Sequence, residues 1–223
     1  MARILLVRHA QSEWNALGRW QGWADPPLSA VGRDQAEQAG LHLRAEGLGP
    51  AGHDTRAGPH PRGSVPLLVI SSDLQRAATT ADIVTDLAFP AVTPTRDPDW
   101  REYRVGAWSG LTRAEIERQW PGDLERWDRG DLRAPPGGED RGHFEARLVR
   151  ALDRVTTTAG EEGTALVVSH GGAIRSLSRR FQAPIDHVGN LAGVLLEGAQ
   201  GRFHQIGMVD LRRRNDQTLP VVD

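Results

Sequence analysis

Three short apolar runs punctuate the chain: Ile4-Leu5-Leu6-Val7, Leu67-Leu68-Val69-Ile70 and Ala165-Leu166-Val167-Val168, with a weaker fourth at Val194-Leu195-Leu196. Runs of this length, without polar alternation, suit strands buried on both faces of a parallel sheet. Between them the apolar spacing changes to that of a helix. Ala36, Ala39, Gly40 and Leu43 form one stripe, with Ser29 placed to cap the helix that carries it. Leu74, Ala77, Ala78, Ala81 and Val84 form a second stripe, and Phe144, Leu148, Ala151, Leu152 and Val155 the clearest one. Thr112 and Glu115 have the spacing of a capping box and predict a shorter helix after them. Strands alternating with helices predict an α/β fold, a three-layer α/β/α sandwich on a mainly parallel central sheet.

Two stretches break the pattern. Residues 47–66 are dense in Gly, Pro, His and Arg and read as a long loop inserted between the first long helix and the second strand. Ala134-Pro135-Pro136-Gly137-Gly138 reads as another loop, with Glu139 expected to open the long helix. Residues 1–211 are expected to form a single domain and residues 212–223, which begin Arg212-Arg213-Arg214, a loosely ordered tail.

At 223 residues the chain is long enough for one sizeable core. Its net charge of −2 argues against a general nucleic-acid or membrane-surface protein. The basic residues are all Arg, so neither a lysine Schiff base nor a Walker-type lysine is available. The absence of Cys removes disulfides, thiolate catalysis and cysteine metal sites. Histidines at 42, 53, 60, 143, 187 and 204 show no paired ligand spacing, and no metal is expected. The N-terminal apolar run ends at Arg8, too short for a signal-peptide core, so a cytoplasmic protein is the expectation.

In open parallel sheets, ligands bind beyond the carboxyl ends of the strands. Arg8-His9 follow the first apolar run, Ser71-Ser72-Asp73-Leu74-Gln75-Arg76 the second, and Ser169-His170-Gly171-Gly172 the third. Two arginines and two histidines would thus meet at one sheet edge. Guanidinium forks suit bidentate phosphate binding, and imidazole can act as a nucleophile toward phosphorus or as a donor to its oxygens. Singly, each residue reads as surface decoration or a structural turn. Their coincidence at three strand ends points to an anion site.

These residues carry a resemblance. Leu6-Val7-Arg8-His9-Ala10-Gln11-Ser12-Glu13-Trp14-Asn15 resembles the signature of the histidine phosphatase superfamily, in its phosphoglycerate mutase-like branch. Asp25-Pro26-Pro27-Leu28-Ser29, Ser71-Ser72-Asp73-Leu74-Gln75-Arg76-Ala77, the segment around Glu102 with Gly106 and Trp108, and Val167-Val168-Ser169-His170-Gly171-Gly172 agree with further family motifs in the same order. The resemblance implies that His9 attacks phosphorus to form a phosphohistidine. It implies that Arg8, Arg76 and His170 hold the phosphoryl oxygens and that Glu102 protonates the leaving group and then helps activate water. Asn15, Gln21 and Gly171 are implied as substrate contacts.

Three positions depart from the family pattern. Ala10 stands where Gly is usual, which matters if the backbone there needs positive φ, and Gln11-Ser12 replace an acidic residue and Thr. Trp20 and Trp23 either wall the substrate or pack their loop onto the domain. Gly137-Gly138-Glu139-Asp140 resembles a further family loop near the site, or simply ends the Pro-rich turn. The expected activity is metal-independent hydrolysis of a small-molecule phosphate monoester, with no cofactor and no nucleic-acid or membrane partner. A mutase-type phosphotransferase (an isomerase) and an inactive phospho-ligand binder on the same fold are the alternatives, and a homodimer is left open.

Overall fold

The computed structural model describes residues 1–45, 67–199 and 201–212. The expected insertion at 47–66, with His53 and His60, lies outside the described residues, as does the tail beyond residue 212. In chain order the elements are β1 (Ala2–Arg8), α1 (Glu13–Ala16), α2 (Ala30–Ala45), β2 (Leu67–Ser71), α3 (Gln75–Ala88) and β3 (Thr95–Arg96). Two 3₁₀ turns, Pro98–Trp100 and Gly106–Trp108, lead to α4 (Arg113–Gln119) and α5 (Asp123–Arg129). Then come α6 (Arg141–Ala159), β4 (Thr164–Ser169), α7 (Gly171–Arg180), β5 (Ala192–Ala199) and β6 (Arg202–Asp210).

Among the described residues these strands form one six-stranded sheet in the order β3-β2-β4-β1-β5-β6. The pairs β3–β2, β2–β4 and β4–β1 are parallel, and β1–β5 and β5–β6 are antiparallel. Each of the four apolar runs lies in a strand, and the three strongest are neighbours at the centre. β3, at two residues, is too short to show a period, and β6 alternates exposed with buried or half-buried residues, but its inward set of Phe203, Gln205, Gly207 and Val209 is not uniformly apolar.

Successive side chains on a strand point to opposite faces, so the three central runs each supply two cores. Ile4, Leu6, Ala165, Val167, Val194 and Leu196 pack with Leu148 and Leu152 of α6 and Ile174 and Leu177 of α7. Val7, Val69, Leu166 and Val168 pack on the other face with Ala36, Ala39 and Leu43 of α2 and Ala77, Ala81 and Val84 of α3. The helical stripes therefore point where their periodicity requires.

The caps follow the local chemistry. Ser29 Oγ accepts from Gly32 N at 3.0 Å at the start of α2, and Thr112 and Glu115 close the capping box of α4. The long helix starts two residues later than expected: Asp140 caps it through Gly142 N at 2.8 Å, and Glu139 stays outside it. The carboxylate of Glu139 is taken by a buried partner instead.

Leu152 is fully buried between α6 and the sheet. Leu152→Ala is expected to cost about 2–5 kcal/mol through lost transfer energy and the cavity left behind. A urea titration of the two proteins followed by circular dichroism measures it.

Candidate active site

Because β2, β4 and β1 are adjacent and parallel, their carboxyl ends share one edge. Arg8 pairs with Ser169 and Ser71 with Val168 in the register, and the ladder continues through His9 N to Ser169 O at 2.9 Å and Ser72 N to Val168 O at 3.0 Å. His9 and His170 thereby emerge side by side, with ring centroids 5.2 Å apart and planes at 64°. Arg76 reaches them from the first turn of α3.

His9 is 3 % exposed, and its Nδ1 lies 2.6 Å from Ala10 O. A carbonyl only accepts, so Nδ1 carries the proton and Nε2 keeps its lone pair. That lone pair accepts from Arg76 Nε at 3.2 Å. The imidazole is thus held in the tautomer that presents Nε2 as the nucleophilic nitrogen. Ala10, also buried, donates its N–H to Thr80 Oγ1 at 3.1 Å. Among the described residues only Gln182 and Leu191 combine a side chain beyond glycine with positive φ, so Ala in place of the usual Gly carries no backbone strain.

Arg76 is 1 % exposed, far from the solvated helix residue that its position alone suggests. Besides His9 it donates through Nη1 to Ala24 O at 2.8 Å and through Nη2 to Gly22 O at 2.9 Å. The turn through residues 22–24 thus pins the fork in place. Burial lowers its pKa to about 10, against the pull of Glu102 and Asp25, so it stays a cation at neutral pH. Arg8 donates Nη1 to Val188 O at 2.8 Å, and burial lowers its pKa too, with Glu102 opposing.

His170 caps α7 and is fully buried, yet neither ring nitrogen has a hydrogen-bond partner among the described residues. An unpaired buried imidazole is costly unless a ligand completes it. Gly171 opens α7 with Arg8 against it: a Cβ there would lie 3.5 Å from Arg8 Cδ.

Glu102 lies in the irregular segment between the two 3₁₀ turns. Its Oε1 accepts from Tyr103 N at 2.8 Å and its Oε2 from Gly172 N at 3.0 Å, on the first turn of α7. A Cβ on Gly172 would sit 2.2 Å from Oε1, so only glycine admits this approach. Arg101, its neighbour in sequence, pairs with Asp73 at 2.6 Å.

Asn15 and Gln21 stand one step back. Asn15 Oδ1 accepts from Ser12 N at 3.2 Å and from Asn190 Nδ2 at 3.4 Å, while Asn190 Nδ2 also reaches His9 O at 2.9 Å. Gln21, itself buried, accepts at Oε1 from Ser12 Oγ at 2.9 Å. Trp20 packs edge-on against Trp108 at 5.4 Å. Trp23 is 39 % exposed, donates Nε1 to Glu102 O at 2.8 Å, and lies under the guanidiniums of Arg101 and Arg104.

Asn190 and Val188 escape sequence reading because the segment before β5 has no periodic signal. The adjacent Leu191 is buried at φ 59°, a backbone strained for a branched residue, and its N–H donates to Arg8 O at 3.0 Å.

An imidazole with its Nε2 lone pair toward Arg76, one buried and one half-buried guanidinium, a second buried imidazole and a carboxylate at a helix start are groups whose chemistry suits a transferring phosphoryl group. The chain belongs to the histidine phosphatase superfamily (branch 1), whose family model matches residues 4–196. It is 34% identical over 210 residues to a glucosyl-3-phosphoglycerate phosphatase of Mycolicibacterium vanbaalenii, covering 88% of this chain and 84% of that protein. It is 32% identical over 178 residues to a 2,3-bisphosphoglycerate-dependent phosphoglycerate mutase of a Chelativorans species, covering 78% and 79%. The solved structure of a mycobacterial glucosyl-3-phosphoglycerate phosphatase with VO3 superposes with a TM-score of 0.75 at 29% identity, covering 92% of this chain and 97% of that one.

Burial, with Arg76 next in size, holds the pKa of both His9 and His170 well below the usual histidine value of 6.5. The unfolded chain gains protons at these residues as pH falls below about 6.5, and the folded one does not. Their contribution to stability is therefore present above that pH and is lost on acidification, at up to about 1.4 kcal/mol per pH unit for each histidine. Urea titrations at pH values between 7.5 and 5.5, roughly the window of that titration, should show a shallower slope for His170→Asn. An unchanged slope would contradict the assignment.

Proposed function

We propose that this protein hydrolyses a small phosphate monoester through a phosphohistidine on His9, and that His9, Arg8, Arg76, His170 and Glu102 carry the reaction. The observation that carries the reading is His9 itself, its Nδ1 proton committed to Ala10 O and its Nε2 lone pair facing Arg76. Nε2 attacks phosphorus, the P–N bond forms and the bond to the leaving oxygen breaks. Glu102 gives that oxygen a proton. The carboxylate left behind takes a proton from water, whose oxygen attacks phosphorus and releases phosphate from Nε2.

Arg8 and Arg76 supply the positive charge opposite the phosphoryl oxygens, a task that metal ions perform in other phosphotransferases. His170 supplies a hydrogen bond and Gly171 a close backbone approach. Asn15 and the amide nitrogen of Gln21 complete the phosphoryl and substrate contacts. The enzyme works on this reading in the cytoplasm. Glucosyl-3-phosphoglycerate and 3-phosphoglycerate are the first substrates to try, after the names of its relatives.

A mutase shares the first half of this chemistry and differs in the acceptor, and the mutase relatives at 32% identity keep that reading in view. Purified protein in EDTA, beside His9→Ala, is to be given p-nitrophenyl phosphate, 3-phosphoglycerate and glucosyl-3-phosphoglycerate. Phosphate release by the wild type alone, with acid-labile label trapped on His9, is expected. Formation of 2-phosphoglycerate with a bisphosphoglycerate primer and no net release would favour the mutase. Binding without label would favour an inactive binder.

Glu102→Gln is expected to slow an alkyl phosphate by about 10²-fold or more, the usual worth of a general acid, and p-nitrophenyl phosphate far less. Equal losses on both substrates would remove Glu102 from the acid role.

A further inference from the structure

Glu102 occupies a segment with no helix or strand to hold it, yet a proton donor has to be placed closely against the leaving oxygen. Its carboxylate has its own partners, but the backbone beneath it needs others. They converge on one buried side chain. Arg147, on the inner face of α6 and 6 % exposed, donates Nη1 to Asp99 O at 2.7 Å and to Arg101 O at 2.7 Å, and Nη2 to Glu102 O at 2.8 Å. The remaining donors meet Glu139: Nε to Oε1 at 2.9 Å and Nη2 to Oε2 at 3.0 Å. All the N–H groups that a guanidinium possesses are thereby committed.

Glu139 in turn is fixed by the same segment. Its N–H donates to Arg104 O at 2.8 Å, and its Oε2 receives Arg104 N at 3.3 Å. The glycine before it permits the contact, since a Cβ on Gly138 would lie 2.7 Å from Arg104 O. The Gly137-Gly138-Glu139 turn is therefore the means by which the Glu139 carboxylate reaches both Arg147 and Arg104, two residues after Glu102.

A bidentate ion pair this deep is weak evidence for stability, because desolvating both charges offsets much of their attraction. Its geometry offers something else. Three carbonyls from residues 99, 101 and 102 can point at one place only if the chain is bent there, and that bend sets where the Glu102 side chain leaves the backbone. Arg147 makes no contact with His9, Arg8, Arg76 or His170 among its hydrogen bonds.

We propose that Arg147, oriented by Glu139, is a positioning residue that holds the Glu102 carboxyl in place for proton transfer. The inference rests on the acid role given to Glu102 above. Arg147→Lys keeps the charge but replaces a planar fork by a single point of donation, which cannot serve three carbonyls and a carboxylate together. Glu139→Gln is the milder variant, keeping the shape and removing the charge that orients the fork.

The test compares kcat/KM for an alkyl phosphate, whose leaving oxygen needs a proton, with that for p-nitrophenyl phosphate, whose leaving oxygen does not. Inhibition by inorganic phosphate reports the intact phosphoryl cradle, and each variant is first checked for folding by circular dichroism. Arg147→Lys is expected to lower the alkyl rate by on the order of tenfold to a hundredfold more than the aryl rate, with phosphate inhibition retained. Glu139→Gln is expected to do the same to a smaller degree, and it carries the test alone if the lysine variant does not fold. In a Glu102→Gln background neither change should add a selective loss, because the group being positioned is gone.

Equal loss on both substrates while Glu102→Gln remains selective would overturn the positioning role and leave the acid assignment standing. A selective loss that persists in the Glu102→Gln background would overturn it as well. A Glu102→Gln variant without selectivity would sink the acid assignment and this inference together.

Discussion

The constraint on which this structure depends is a permanent cation held out of water. Arg76 is 1 % exposed, and its nearest carboxylate, Asp25, lies 4.0 Å away. A guanidinium in that setting has to be satisfied by hydrogen bonds and by the field of distant charges. Two carbonyls of the turn at residues 22–24 and the lone pair of His9 supply the bonds. Burial then acts in the same direction on the whole edge of the sheet: it lowers the proton affinity of Arg8, His9, Arg76 and His170 together. The histidines are neutral as a result, His9 with Nδ1 bonded to Ala10 O and His170 with neither ring nitrogen paired among the described residues. Buried and half-buried cations grouped in this way favour an anion beside them.

The rest of the fold divides into what aligns those groups and what aims the carboxylate. The parallel ladder β2-β4-β1 does the first, because neighbouring strands in register end together and leave little freedom to the residue after each. The second task falls to irregular chain. Glu102 has neither helix nor strand around it, and its position comes from carbonyls converging on Arg147, from the indole of Trp23 on its own carbonyl, and from the approach of Gly172. A precise site built on loops needs such a supporting layer, since loop backbone has no ladder of its own.

Much of this was legible along the chain. The apolar runs at residues 4–7, 67–70, 165–168 and 194–196 fall in β1, β2, β4 and β5 because strands buried on both faces must be apolar at every position. The helical stripes were readable for the same reason, each meeting its sheet face at the period of a helix. The residues after the runs disclosed the site, since a parallel sheet brings its strand ends to one edge. The edge strands β3 and β6 escaped notice. One is too short for a period, and the other borders water, where burial asks little of the sequence.

The layers of the fold, the strand ends that meet, and His9, Arg8, Arg76 and His170 beyond them were readable from the chain alone. The tautomer of His9, the burial of Arg76, the linkage of Asn15 through Asn190, and the contacts of Arg147 and Glu139 beneath Glu102 emerge from packing. Periodicity and motif spacing report on which face of an element is buried, and that is a property of neighbouring residues. A hydrogen bond between residues 45 positions apart, such as Arg147 to Glu102, leaves no local trace and exists only once the chain has packed.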